Sequence, residues 1–323
     1  MVGYLTRRVG AGIVVLFVVA LVVFCLFESL DSDAATVALS RNGGATPTPE
    51  QVAALRTELG LDRPAPVRFA EWASGFVRGD FGTSLISGRP VHDILLERLS
   101  NSAALAVLTA ILLVPLTIGL GLAAGARPGS RLDRTISVGA LTAESVPSFV
   151  SGVLLVALVS LTLHLLPAVS LLPTGASPFS RPEVLILPIV CLLTGLSPHP
   201  TRMVRAQTTE VMTRPYIQAA RLNGVGELRL LLRHAAPNVL SASVHPLAAG
   251  LVGLIGGVAV VETLFVYPGL SQELLRAISA RDFPFVQSAA VLMAAAGITV
   301  YLIADILALL TSPRARQLVL EKR

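Results

Sequence analysis

Lys322 is the one lysine in 323 residues, and it stands between Glu321 and Arg323. A phosphate-cradling P-loop needs Gly-Lys followed by Ser or Thr, because the ammonium reaches the phosphates and the hydroxyl binds magnesium. No such triplet exists here, so any nucleotide chemistry that drives this protein is expected in another chain. Ser145, Ser148 and Ser151 are candidate nucleophiles for an intramembrane hydrolase, which needs a buried Ser or acid beside a base. No Gly-x-Ser-x-Gly frames them, and none of the five histidines (His92, His164, His199, His234 and His245) is paired with them by spacing. The histidines also lack HExxH or another ligand spacing. Cys25 and Cys191 stand alone in apolar runs, as packing thiols do, so neither a disulfide framework nor a metal site is expected. The expectation is a chain with no catalytic residue, no metal and no cofactor of its own.

What remains is charge placed where lipid would be. Ionisable groups inside spanning helices cost about 2.5–3.5 kcal/mol on insertion scales, so they mark function or pairing. Glu144 and Ser145 precede Pro147 near the start of an apolar run. They read either as pathway residues beside a proline-broken helix or as an interfacial cap. Glu262 and Thr263 close another run, before Phe265. They read either as pathway or partner contacts or as a helix-end charge facing external water. Asp305 sits inside the last run, where pairing with a neighbouring helix, Arg314 or Arg316 outweighs substrate contact.

The elements that must position these groups follow from composition. Hydrophobic residues make up 53% of the chain and charged ones 14%, against about 25% charged in soluble domains, so this is an integral membrane protein. The net charge of +5 suits arginine-rich inner loops better than nucleic acid. Six apolar runs approach the roughly 20 residues a spanning helix needs, at 9–27, 102–125, 147–166, 183–200, 238–261 and 286–311. With the N-terminus inside, the inner segments 1–8, 126–135, 201–235 and 312–323 hold fifteen of the 25 Lys and Arg. The longer outer segments hold ten, which supports both termini inside. The run after Arg7 and Arg8 reads as a retained anchor, because it is too long for a signal peptide and no cleavage site follows.

Outer residues 28–101 carry ten acids and their own helix signals. Thr48-Pro49-Glu50-Gln51 is a capping box with proline at the first helical position, and Gly60 can end that helix. A second helix is expected over Val67–Val77, with a turn at Gly79-Asp80-Phe81-Gly82. Small-residue stripes at Gly121 and Gly125, and at Ala249, Gly253 and Gly257, suit close helix packing.

Among the inner segments, 201–235 contains a basic helix–glycine–helix. Pro215 opens a short helix, Gly224 and Gly226 end it and turn the chain, and Arg229 and Arg233 lie one turn apart on the next. Such a segment either lies on the bilayer surface or inserts into a partner's groove.

"PYIQAARLNGVGELRLLLRHAAPN" resembles the coupling, or EAA-type, loop of binding-protein-dependent ABC importers. Together with "YLTRRVG", "ELGLDRP", "GDFGTSL", "SVPSF", "VVETLFVYPGLSQELLRAISARDFPFVQ" and "SPRAR", it makes the chain similar, nearly end to end, to the B-type permease subunit of the oligopeptide/dipeptide/nickel family. Pro215, Asn223, Ser271 and Ser312 depart from the family pattern. The resemblance implies an all-α, type I ABC importer permease fold with six transmembrane helices: span 9–27, a helical extracytoplasmic insertion at 28–101, and a five-helix core at 102–311. It implies a multi-pass protein of the bacterial plasma (inner) membrane that carries peptides, or in the alternative nickel or another small solute. A second permease subunit would share the pathway. Two ABC ATPase subunits or domains would bind ATP and magnesium, and an extracytoplasmic solute-binding protein would deliver cargo. Tyr216, Gln218, Ala219, Ala220 and Arg221 would dock in the ATPase groove, with Gly224 and Gly226 at the bend. A channel or secondary carrier, the competing class, needs no such loop.

Overall fold

The computed structural model describes residues 2–29, 36, 39, 47–58, 62–173 and 175–311. Gly60, Arg314, Arg316 and the tail 312–323 lie outside the described residues. Helices joined by turns and loops make up the described residues, with one isolated bridge between Thr83 and Pro90. Four helices are long and apolar enough to cross a membrane: Thr6–Glu28, Val91–Ala126, Glu227–Leu264 and Phe283–Ala308. Two bent pairs bring the number to six, Arg131–Ser145 with Ser148–Thr162 at 101° and Glu183–Leu196 with Pro198–Met212 at 48°.

In chain order we name α1 (Val2–Glu28), α2 (Pro49–Glu58), α3 (Ala65–Arg78), α4 (Val91–Ala126), α5 (Arg131–Ser145) and α6 (Ser148–Thr162). The rest are α7 (Glu183–Leu196), α8 (Pro198–Met212), α9 (Pro215–Leu222), α10 (Glu227–Leu264), α11 (Leu270–Ala280) and α12 (Phe283–Thr311).

The chain forms two compact units. The first takes residues 2–8, 103–267 and 297–311 of the described chain. Its core joins Leu105, Val184, Leu192, Leu254, Val261 and Phe265. Glycines bring helix backbones together here. A Cβ at Gly121 would stand 2.5 Å from Val204 Cβ, and one at Gly125 2.5 Å from Thr208 Cβ. Gly253 and Gly257 face Leu196 and Leu192, while Ala249, expected in the same stripe, is exposed and Ala248 is buried in its place.

The second unit takes residues 9–102 and 268–296. The capping box forms as expected: the Thr48 N–H donates to Gln51 Oε1 at 3.0 Å and the Gln51 N–H to Thr48 Oγ1 at 3.4 Å. Helix α3 runs slightly beyond the expected 67–77 and ends at Gly79 in the left-handed conformation. Its Phe69 packs edge-on against Phe17 and Phe24 of α1, and Arg68 pairs with Glu28. The 79–90 turn is held by Asp282, which accepts from the Ser84 hydroxyl and from the Leu85 N–H at 3.1 Å.

Several boundaries depart from the sequence expectation. Helix α4 starts at Val91, well before 102, because Val91, Ile94 and Leu95 bury one face against α11 and α12. The third run, 147–166, is helical only over Ser148–Thr162. At about 1.5 Å per residue that is roughly 22 Å, short of a ~30 Å hydrocarbon core. Its last seven residues are π-helical. The fourth run continues past 200 as α8, so 201–212 is helix rather than loop. Helix α10 starts at Glu227, not 238, and its turns over Leu230–Ala235 widen to the i→i+5 pattern. Pro237, which has no N–H for the Arg233 carbonyl, follows directly.

Candidate functional site

Helix α9 starts with Pro215 at its first position, where a missing N–H costs nothing. One side chain, Ile217, is fully buried, in a cluster with Val211, Met212, Ala235 and Val239. Tyr216, Gln218, Ala219 and Arg221 are exposed and Ala220 is half-buried. Leu222 is 89% exposed. Helix α9 thus has one fully buried side chain and mostly exposed faces around it.

The exit from α9 is closed by backbone. The Gly224 N–H donates to the Arg221 carbonyl at 3.0 Å and the Val225 N–H to the Ala220 carbonyl at 3.2 Å, a Schellman-type stop. Gly224 has φ +81° and open space where a Cβ would go, so its requirement is conformational. Gly226 differs from the expectation. Its φ of −65° and ψ of 148° are ordinary extended values, so it caps the next helix without needing to be glycine. Across the bend, Arg221 Nε and Nη2 donate to Glu227 Oε1 and Oε2 at 2.6 and 3.1 Å. The hydrogen-bonded Glu227 carboxylate raises the pKa of the Arg221 guanidinium. Asn238 Nδ2 donates to the Tyr216 hydroxyl at 3.0 Å. Two side-chain ties and one left-handed glycine fix α9 against the start of α10.

The base of this segment was not read from the sequence. Asp133 is 2% exposed and accepts from Arg205 through both of its carboxylate oxygens, one at 2.8 Å. It also accepts from the Gly129 N–H at 2.8 Å and the Ser137 hydroxyl at 3.2 Å. Ser130 caps α5 by accepting from the Asp133 N–H. The signal available was the Ser130-x-x-Asp133 cap itself, an acid at a helix start. Its partner lies 72 residues away.

The proposed pathway residues fall in different settings. Glu144 is exposed and pairs with Arg202, Ser145 donates back to the Leu141 carbonyl at 2.8 Å, and Pro147 starts α6 after the 101° bend. Glu262 is fully buried, so it does not face external water. The Tyr267 N–H donates to its backbone carbonyl at 2.9 Å, and burial together with the Glu262 carboxylate pushes the Tyr267 phenol above its ordinary value. Phe265 is fully buried core. Thr263 is exposed and donates to the Ala259 carbonyl. Asp305 pairs with neighbouring helices, with Arg8 at 3.1 Å and His245 at 3.2 Å. Among the described residues no group of three or more His, Cys, Asp or Glu is placed to hold a metal.

Comparison with known proteins places this architecture. Residues 116–317 match the family of binding-protein-dependent transport system inner membrane components, and residues 1–106 match the N-terminal part of such components. A putative peptide transport system permease protein of Brucella abortus (strain 2308) is 34% identical over 317 residues, 98% of this chain and 99% of the relative. A probable peptide ABC transporter permease protein of Sinorhizobium fredii is 33% identical, covering 97% of this chain and 99% of its own. An oligopeptide transport system permease protein of Bacillus subtilis is 29% identical, again over 97% and 99%. The chain, helical, apolar and matched over nearly its full length, belongs to the binding-protein-dependent transport system inner membrane components.

Proposed function

We propose that this chain is a permease subunit of an ATP-driven importer of di- or oligopeptides, and that α9 is its docking helix for a cytoplasmic ATPase. The observation that carries the docking role is α9 itself: one buried anchor, Ile217, exposed faces around it, and a bend fixed by Gly224 and the Arg221–Glu227 pair. A rigid short helix passes on a rigid-body displacement, which a flexible loop would absorb. The peptide cargo is taken from the relatives' names.

In this reading both termini and α9 face the cytoplasm, in keeping with the arginine distribution, and residues 28–101 face outward at the bacterial plasma membrane. A second permease completes the pathway. ATP and magnesium are bound by two ATPase subunits, and a solute-binding protein delivers the cargo. This chain contributes position and movement, not bond chemistry.

The test is uptake of labelled di- and oligopeptides, and separately of nickel, in cells with and without the chain, alongside co-purification of ATPases. Peptide uptake that depends on the chain supports the reading. Uptake of nickel alone would reassign the cargo, and a chain that recovers no ATPase would remove the docking role.

A further inference from the structure

We infer that two ion pairs between α5 and α8 make those helices one moving body, which carries displacement of α9 to the 101° bend ahead of α6. Asp133, Arg205, Glu144 and Arg202 are then positioning residues for transport. The inference rests on the docking role given above for α9.

One continuous route runs from α9 to α6. Helix α8 ends at Met212, and α9 follows after Thr213 and Arg214. Ile217 of α9 is buried against Val211 and Met212 of α8, so a push on α9 is a push on the end of α8. On α8, Arg202 and Arg205 lie one turn apart and reach opposite ends of α5. Arg205 grips buried Asp133 in the first turn of α5, and Arg202 grips Glu144 at its penultimate residue. A helix pinned at both ends to successive positions of another cannot slide or roll on it without breaking an ion pair. Helix α5 then ends at Ser145, and the chain turns by 101° into α6. Motion of α8 therefore reaches α6 through α5 as well as through α7, which joins α8 at the Ser197 break and meets α6 at Gly152.

Stability does not account for both pairs. The Glu144–Arg202 pair is 40% and 46% exposed on its two side chains, and exposed pairs contribute little to folding. The Asp133–Arg205 pair is buried on the acid side. Such pairs are no better for stability than apolar residues of the same size, and they can instead fix one arrangement against its neighbours. Two differently exposed pairs on one helix interface, each binding an end of α5, suit a linkage that must hold its register while it moves.

The experiment uses the assembled transporter in liposomes and reads peptide taken up per ATP hydrolysed. Glu144→Arg and Arg202→Glu, singly, are expected to lower that ratio about three- to tenfold while ATPase co-purification and thermal stability stay unchanged. The double exchange, Glu144→Arg with Arg202→Glu, is expected to restore it, because the exposed site has room for the swapped pair. Arg205→Gln is expected to lower the ratio further, with partial recovery in Arg205→Lys. If Arg205→Gln does not fold, the exposed pair decides. Unchanged ratios in both exposed single variants, or a double exchange that restores nothing, would overturn the inference. Loss of ATPase co-purification in those variants would also overturn it, since the pairs would then serve assembly. A wild-type transporter without ATPase attached would refute the docking role instead.

Discussion

Gly224 gives the sharpest test of the docking segment, because Gly226 stands two residues away as its control. Gly224 has φ +81° and nothing within 4 Å of a built Cβ. A side chain there meets no neighbour, and the whole penalty is backbone conformation. For a residue with a Cβ the left-handed region costs about 1–2 kcal/mol, and a β-branched residue belongs at the upper end. That shifts the balance between the bent and unbent segment roughly five- to thirtyfold. The exposed Arg221–Glu227 pair is too weak to hold the bend alone. Gly224→Val is therefore expected to leave the protein inserted and at normal level, while uptake falls by about tenfold and ATPase recovery drops with it. Gly224→Asn should be close to wild type, since Asn tolerates the left-handed region. Gly226→Thr should be silent, because Gly226 has φ −65° with open space around it and threonine caps a helix about as well as glycine. The assay is uptake in cells with pull-down of the ATPases, normalised to permease level. Normal uptake in Gly224→Val, or equal damage from Gly226→Thr, would refute the reasoning.

Three further outcomes are expected. Asp305→Ala removes the acid that pairs with Arg8 and His245; since both partners are about half exposed, the loss should be nearer 1–2 kcal/mol than the 3–5 of a fully buried pair, read as a lower unfolding temperature in detergent. Gly125→Leu forces a Cβ to 2.5 Å from Thr208 Cβ and 2.6 Å from the Arg205 carbonyl, an overpacking of about 1–3 kcal/mol, whereas Gly119→Ala, with nothing within 4 Å, should be neutral or stabilising in the same measurement. In a Cys25→Ser background, Ser74→Cys should react with an impermeant thiol reagent in intact cells and Arg131→Cys should not; both side chains are exposed, and Ser130 is spared because it caps α5. The reverse labelling pattern would invert the topology.

What the sequence discloses is what local chemistry decides. The Thr48 capping box forms because both partners lie within four residues, and the Gly224 turn forms because a left-handed stop selects glycine. The bends ahead of Pro147 and Pro198 carry proline signals, but a proline does not specify the angles of 101° and 48°. Glu262 shows where legibility ends. It closes an apolar run, and a run's end facing water and a run's end facing core have the same pattern. Here the chain folds back, the Tyr267 N–H donating to the Glu262 carbonyl, and Tyr267 and Phe265 join a buried cluster with Val184. The same holds for Asp133 and Arg205. Each is an ordinary charged residue on a helical segment, and only the close approach of helices at Gly121 and Gly125 brings α8 to the turn where Asp133 waits. The helix proposed to dock the ATPase can thus be read alone, while the linkage that would carry its movement consists of pairs that exist only once the helices are packed.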